Sequence, residues 1–109
     1  MTREFINTPS FDKRWSDLGL GDEELKELQN ILLADPQAGD VIPGVGGARK
    51  VRFAASDHGK RGGARIIYVD IILDEQIFLL TAYPKNVKSD LSGDEKKSLA
   101  KLVKTLKFK

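Results

Sequence analysis

The sequence contains no cysteine, and that absence removes disulfides, thiolate metal sites and cysteine nucleophiles together. Histidine is nearly as scarce: one residue, His58, leaves histidine triads and histidine-based metal cages without partners. No apolar run approaches the roughly 20 residues that span a bilayer. The opening MTREFINTPS has neither the apolar core nor the small-residue cleavage site of a secretory signal. The expectation is a cytoplasmic protein with no membrane attachment and no metal or cofactor. Repeats, low-complexity tracts and an interdomain linker are also missing. The 109 residues therefore read as one domain, 1–109, with one modest core.

What is present is charge, unevenly placed. The formal net charge is only +2, yet residues 17–40 carry seven acids (Asp17, Asp22, Glu23, Glu24, Glu27, Asp35, Asp40) against one lysine, Lys26. Residues 44–68 reverse the sign, with Arg49, Lys50, Arg52, Lys60, Arg61 and Arg65 against Asp57, and the tail from Lys85 holds eight lysines against three acids. A bipolar molecule of this kind can turn one face to a polyanion and keep the other solvated.

The pattern of apolar residues predicts an α+β fold. REFIN is a short strand candidate. In TPSFDKRWSDLG, Thr8 can cap, Pro9 takes the first helical position, and Phe11, Trp15 and Leu18 recur at helical spacing. Asp22 can cap a second helix whose Leu25, Leu28, Ile31 and Leu32 form its apolar stripe, ended by Asp35-Pro36. PQAGDVIPGVGG reads as an irregular loop because its glycines and prolines suit neither helix nor central strand. From Arg49 the period becomes two: Arg49, Val51 and Phe53 share one side of a half-buried strand, and Lys50, Arg52 and Ala54 the other.

ARIIYVDIIL and QIFLLTAY, joined by a turn at Asp74-Glu75, form a hairpin whose faces are both largely apolar, so each face needs a cover. SGDE at Ser92–Glu95 has capping-box spacing ahead of a helix carrying Leu99, Leu102, Val103 and Leu106. Antiparallel pairing of the strand at Arg49 with the hairpin would bring Arg52, Arg65, Tyr83 and Lys85 to one end of the sheet.

A cationic site without paired carboxylates suits few reactions, and RNA cleavage is one. The ribose 2′-hydroxyl supplies the nucleophile, leaving the protein to provide a base, cations for the pentavalent phosphate, an acid for the leaving oxygen and a surface for a nucleobase. A lysine among cationic neighbours can serve as base, and arginine holds phosphate in a fork. Other readings stand beside this one. Basic residues on a strand can be a solvated face, paired glycines can be simple turns, and Tyr83 can be a packing residue rather than a stacking surface. Phe11 and Trp15 read as core.

The blocks GDVIPGVGGARKVRF, GKRGGARIIY and LLTAYPKNVKSDLS, in this order after two helices, resemble the RelE/HigB-type toxins of bacterial toxin–antitoxin pairs, in particular the HigB-like branch. The resemblance implies a small antiparallel sheet flanked by two N-terminal helices and one C-terminal helix. It implies a ribosome-dependent, metal-independent mRNA endoribonuclease that inhibits translation. It also implies a cognate antitoxin with a helix-turn-helix DNA-binding domain, through which alone operator DNA would be reached. On this likeness Lys50 and Arg52 fall on the family's basic strand pair, for proton transfer and phosphate contact. Arg65 falls on its transition-state arginine, and Lys85 on the basic residue after the last strand. Tyr83 and Asn86 take nucleotide positioning, and Lys60, Arg61 and Lys88 backbone contacts. The chain departs from the family pattern at Val69 and Val87, and the catalytic tyrosine or histidine found near the C-terminus of other branches has no counterpart here, since Phe108 cannot transfer a proton. A non-catalytic RNA- or protein-binding module, or a gyrase poison on the same fold, are the alternatives.

Overall fold

The computed structural model describes residues 2–54, 63–85 and 90–108. In chain order these form strand β1 (Glu4–Asn7), helices α1 (Pro9–Asp17) and α2 (Asp22–Ala34), strands β2 (Asp40–Val41), β3 (Arg49–Phe53), β4 (Ala64–Ile71) and β5 (Gln76–Pro84), and helix α3 (Gly93–Lys107). The α+β class, the three helices and their order follow the sequence reading. The sheet, in the order β1-β5-β4-β3-β2, is antiparallel except at its first edge, where β1 runs parallel to β5. No helix among the described residues is long and apolar enough to cross a membrane.

Local chemistry places the helix ends. The Thr8 hydroxyl accepts from the Phe11 N–H and also donates to the carbonyls of Leu79 and Leu80, so one side chain caps α1 and ties its start to β5. The cap of α2 falls one residue earlier than expected. Gly21 takes the cap position and Asp22 becomes the first helical residue, while the Glu24 carboxylate accepts the Gly21 N–H at 2.7 Å. Three acids in the first turn then complement the helix dipole. At α3 both halves of the capping box form: the Ser92 hydroxyl accepts from the Glu95 N–H and the Glu95 carboxylate from the Ser92 N–H.

The two apolar faces of the hairpin are covered by different elements. On one side Phe11, Trp15, Leu28 and Leu32 of α1 and α2 pack on Val51, Phe53, Ile66, Tyr68, Ile77 and Leu79. Phe11 and Trp15 stack with centroids 5.3 Å apart, so both are core residues as read. On the other side Val103 of α3, Leu91 and the segment bearing Ile42, Val45 and Ala48 cover Ile67, Val69, Ile71, Phe78 and Leu80. The glycine-rich segment is thus less irregular than its composition suggests. It contributes buried side chains, and its Asp40 and Val41 pair with Lys50 and Arg49 as β2.

The hairpin also differs in detail from the sequence reading. Ile72 and Leu73 leave the strand for a 3-10 turn and stand 60% and 96% exposed, with Glu75 in the left-handed region at φ 54°. Inside the hairpin, Ile67 pairs with Thr81 and Tyr68 with Leu79, leaving Leu80 as an extra residue. This bulge shifts the alternation of β5 by one, so Ala82 faces the α1/α2 side and Tyr83 the α3 side.

Gly63, just before β4, adopts φ +76°, and a Cβ there would lie 2.6 Å from the Phe53 carbonyl oxygen. Gly63→Ala is expected to cost about 1–3 kcal/mol from backbone strain alone, with the collision adding to it. A fall in the urea midpoint at unchanged slope is the measurement that checks it.

Candidate functional site

The basic residues meet because of strand register. Val51 and Phe53 point into the α1/α2 core, so the intervening Arg52, and Lys50 before it, project to the α3 side. Arg52 pairs directly with Arg65 across β3 and β4, and Arg65 with Tyr83 across β4 and β5. Lys85 follows at the same end, its N–H donating to the Gly63 carbonyl at 3.4 Å. The end-of-sheet constellation expected from the sequence is therefore present for Arg52, Arg65, Tyr83 and Lys85, with Lys50 two residues further along the same face as Arg52. Lys60, Arg61, Asn86 and Lys88, with His58 and Val87, lie outside the described residues.

Two guanidinium groups in direct cross-strand register repel one another and work against the sheet. Neither Arg52 nor Arg65 has an ion pair among the described residues. The Arg65 Nε is in addition buried, with no hydrogen-bond partner among the described residues. A buried donor left unmade is costly, and here it belongs to a fixed positive charge beside a second one. An anion with oxygens on both groups would remove the repulsion and satisfy the donor in one step.

Tyr83 is only 6% exposed and packs with Leu91 and Val103, so its burial matches the packing alternative rather than an open stacking face. Burial first, and then the nearby Asp90 charge, push its hydroxyl above the ordinary tyrosine range. Next to it a groove of about 550 Å³ runs between α1 and α3 along the outer side of β5, past the point where β1 stops pairing. Thr81, Tyr83, Pro84 and Leu91 line it beside the acids Asp17, Asp94 and Glu95. Against a single lining cation, Arg14, those three carboxylates disfavour phosphate there.

Asp90 is the residue that sequence reasoning passed over. Its carboxylate lies 3.5 Å from Lys50 Nζ and 3.7 Å from Lys96 Nζ. The Leu91 N–H, donating at 2.8 Å, holds the carboxyl below the ordinary range, with the Lys50 and Lys96 charges acting in the same direction. The available signal was an acid set between Lys88 and the capping box at Ser92–Glu95, outside the helix that the box opens.

Comparisons with known proteins agree with this architecture. A family model described as the RelE toxin of the RelE/RelB toxin–antitoxin system matches residues 5–109. Among solved structures, a doubly substituted E. coli toxin RelE in the free state superposes with a TM-score of 0.59 at 18% identity, covering 94% of this chain and 97% of that one. The isolated E. coli RelE toxin gives 0.52 at 17%, covering 94% and 99%. The intact E. coli RelBE toxin–antitoxin complex gives 0.53 at 21%, covering 75% and 94%. At these identities the superpositions establish the fold.

Proposed function

Because the chain belongs to the family of RelE toxins of RelE/RelB toxin–antitoxin systems, we propose that it halts translation by cutting mRNA on the ribosome, without a metal ion, using the RNA's own 2′-hydroxyl. The observation that carries this reading is the buried, unpartnered Nε of Arg65 set opposite Arg52. In the reaction the 2′-oxygen forms a bond to phosphorus and the bond to the 5′-oxygen breaks, leaving a 2′,3′-cyclic phosphate and a free 5′-hydroxyl. Arg65 and Arg52 neutralise the charge that accumulates on the non-bridging oxygens. Lys50 and Lys85 flank the phosphate and take part in proton transfer and phosphate contact, while Lys60, Arg61 and Lys88 hold the RNA backbone. Asn86 positions the nucleotide, and Tyr83 shapes the apolar floor on which a nucleobase rests.

The partner follows from the same family. An E. coli relative has been solved with its antitoxin, and this toxin is expected to have a cognate antitoxin, carrying a helix-turn-helix domain that contacts operator DNA for both. Programmed ribosomes bearing 5′-labelled mRNA, with free mRNA alongside and with and without a chelator, test the proposal. Cleavage on ribosomes that survives chelation supports it. Soluble, folded protein that leaves the message intact would move the assignment to a binding module or a gyrase poison.

A further inference from the structure

Asp90 stands two residues before the cap of α3, on the side of the sheet that carries Lys50, Arg52 and Arg65. Its Oδ1 faces Lys50 at 3.5 Å and also accepts from the Leu91 N–H, which holds the head in place, while its Oδ2 faces Lys96 at 3.7 Å. Lys50 comes from a strand 40 residues away in sequence, so the contact is made by the fold and not by local chain geometry. The pair is half-exposed, with the Asp90 side chain 51% accessible, and exposed pairs of this kind add little to stability. Its effect falls instead on what the lysine can bind. A fixed carboxylate with an oxygen toward each of two cations has the charge and reach of an RNA phosphate.

We propose that Asp90 is a specificity-determining residue: its carboxylate fills the phosphate position at Lys50, and RNA enters only by displacing it. This rests on the ribonuclease reading above and adds a selection step to it. Loose RNA, held by a few phosphate contacts, exchanges poorly with a carboxylate already in place. An mRNA held in position by the ribosome brings independent binding that drives the exchange.

Full-length protein and a fluorescent single-stranded RNA oligonucleotide, measured by anisotropy across a salt series, provide the test. Asp90→Asn should bind about three- to tenfold tighter at low salt, with a log–log salt slope steeper by about 0.7, one added phosphate contact on a single strand. Asp90→Glu, which keeps the charge, should bind like the wild type. In a Lys50→Met background the gain from Asp90→Asn should shrink to less than half. Unchanged affinity in a folded Asp90→Asn protein overturns the proposal, and so does a gain that persists in full without Lys50. Ribosome cleavage by the wild type is run in parallel: its absence removes the ribonuclease reading, whereas cleavage with no Asp90 effect on binding removes this inference alone.

Discussion

Arg65→Ala is expected to abolish mRNA cleavage while leaving the protein folded. The side chain supplies one of two fixed charges at the reacting phosphate, and loss of a single preorganised donor of this kind typically costs roughly 3 kcal/mol or more in the barrier, a hundredfold or greater. Stability should move the other way or not at all, because the substitution also removes the Arg52–Arg65 repulsion and the buried, unpartnered Nε. Cleavage on programmed ribosomes and a thermal melt on the same preparation separate the two effects. Retained toxicity in a soluble, well-expressed Arg65→Ala protein would sink the assignment. Arg65→Lys keeps the charge without the planar fork, and a rate between those of wild type and alanine is the expected result.

The largest expected effect on stability lies at Tyr68. Its side chain is fully buried in the core beneath α1 and α2, and its hydroxyl donates to the Pro36 carbonyl at 2.8 Å and accepts from the Gly39 N–H at 3.0 Å. Tyr68→Ala opens a cavity and strands both backbone groups, at a cost of about 3–5 kcal/mol, a large part of the roughly 5–15 kcal/mol that holds a domain together. Tyr68→Phe keeps the ring and removes only the hydroxyl, so about 1–3 kcal/mol is expected. Urea denaturation of the three proteins gives both terms, and equal stability of the phenylalanine variant and wild type would rule out the hydrogen-bonding role. The segment released leads into β2, which pairs with Lys50, and is held also by the Arg49 guanidinium donating to the Gly39 carbonyl at 2.8 Å. Loss of cleavage in the alanine variant would therefore report damage to the support of the cationic face.

Much of this was legible in the chain because it rests on local chemistry. Thr8-Pro9 and Ser92–Glu95 mark helix starts through hydrogen bonds made within a few residues. The period of two from Arg49 sends Lys50 and Arg52 away from the core, and antiparallel hairpin geometry then brings Arg52, Arg65 and Tyr83 to one end of the sheet. What escaped depends on distant partners. Nothing local to Glu4–Asn7 says that it runs parallel to β5. The extra residue at Leu80 is invisible in an unbroken apolar run, although it decides that Tyr83 shares a face with Arg65. Ile72 and Leu73 look like strand residues because they are apolar, yet the turn needs them. Asp90 acquires meaning only when the fold sets it against Lys50, and its charge was lost in the basic total of the tail.

The parallel edge strand governs the order of events in synthesis. Glu4 lies opposite Gln76, 72 residues later, and Arg3 reaches past that pairing to clasp Asp70 on β4 through two contacts of 2.7 and 3.3 Å. Glu4–Asn7 must therefore wait for β5, the last strand of the sheet, before they find a partner. Pairings this remote are slow to form because the intervening loop has to close first. A nascent chain arrested before β5 has emerged lacks both this edge and the Tyr83–Lys85 end of the basic face, so the cationic face comes together only after the last strand of the sheet has been made.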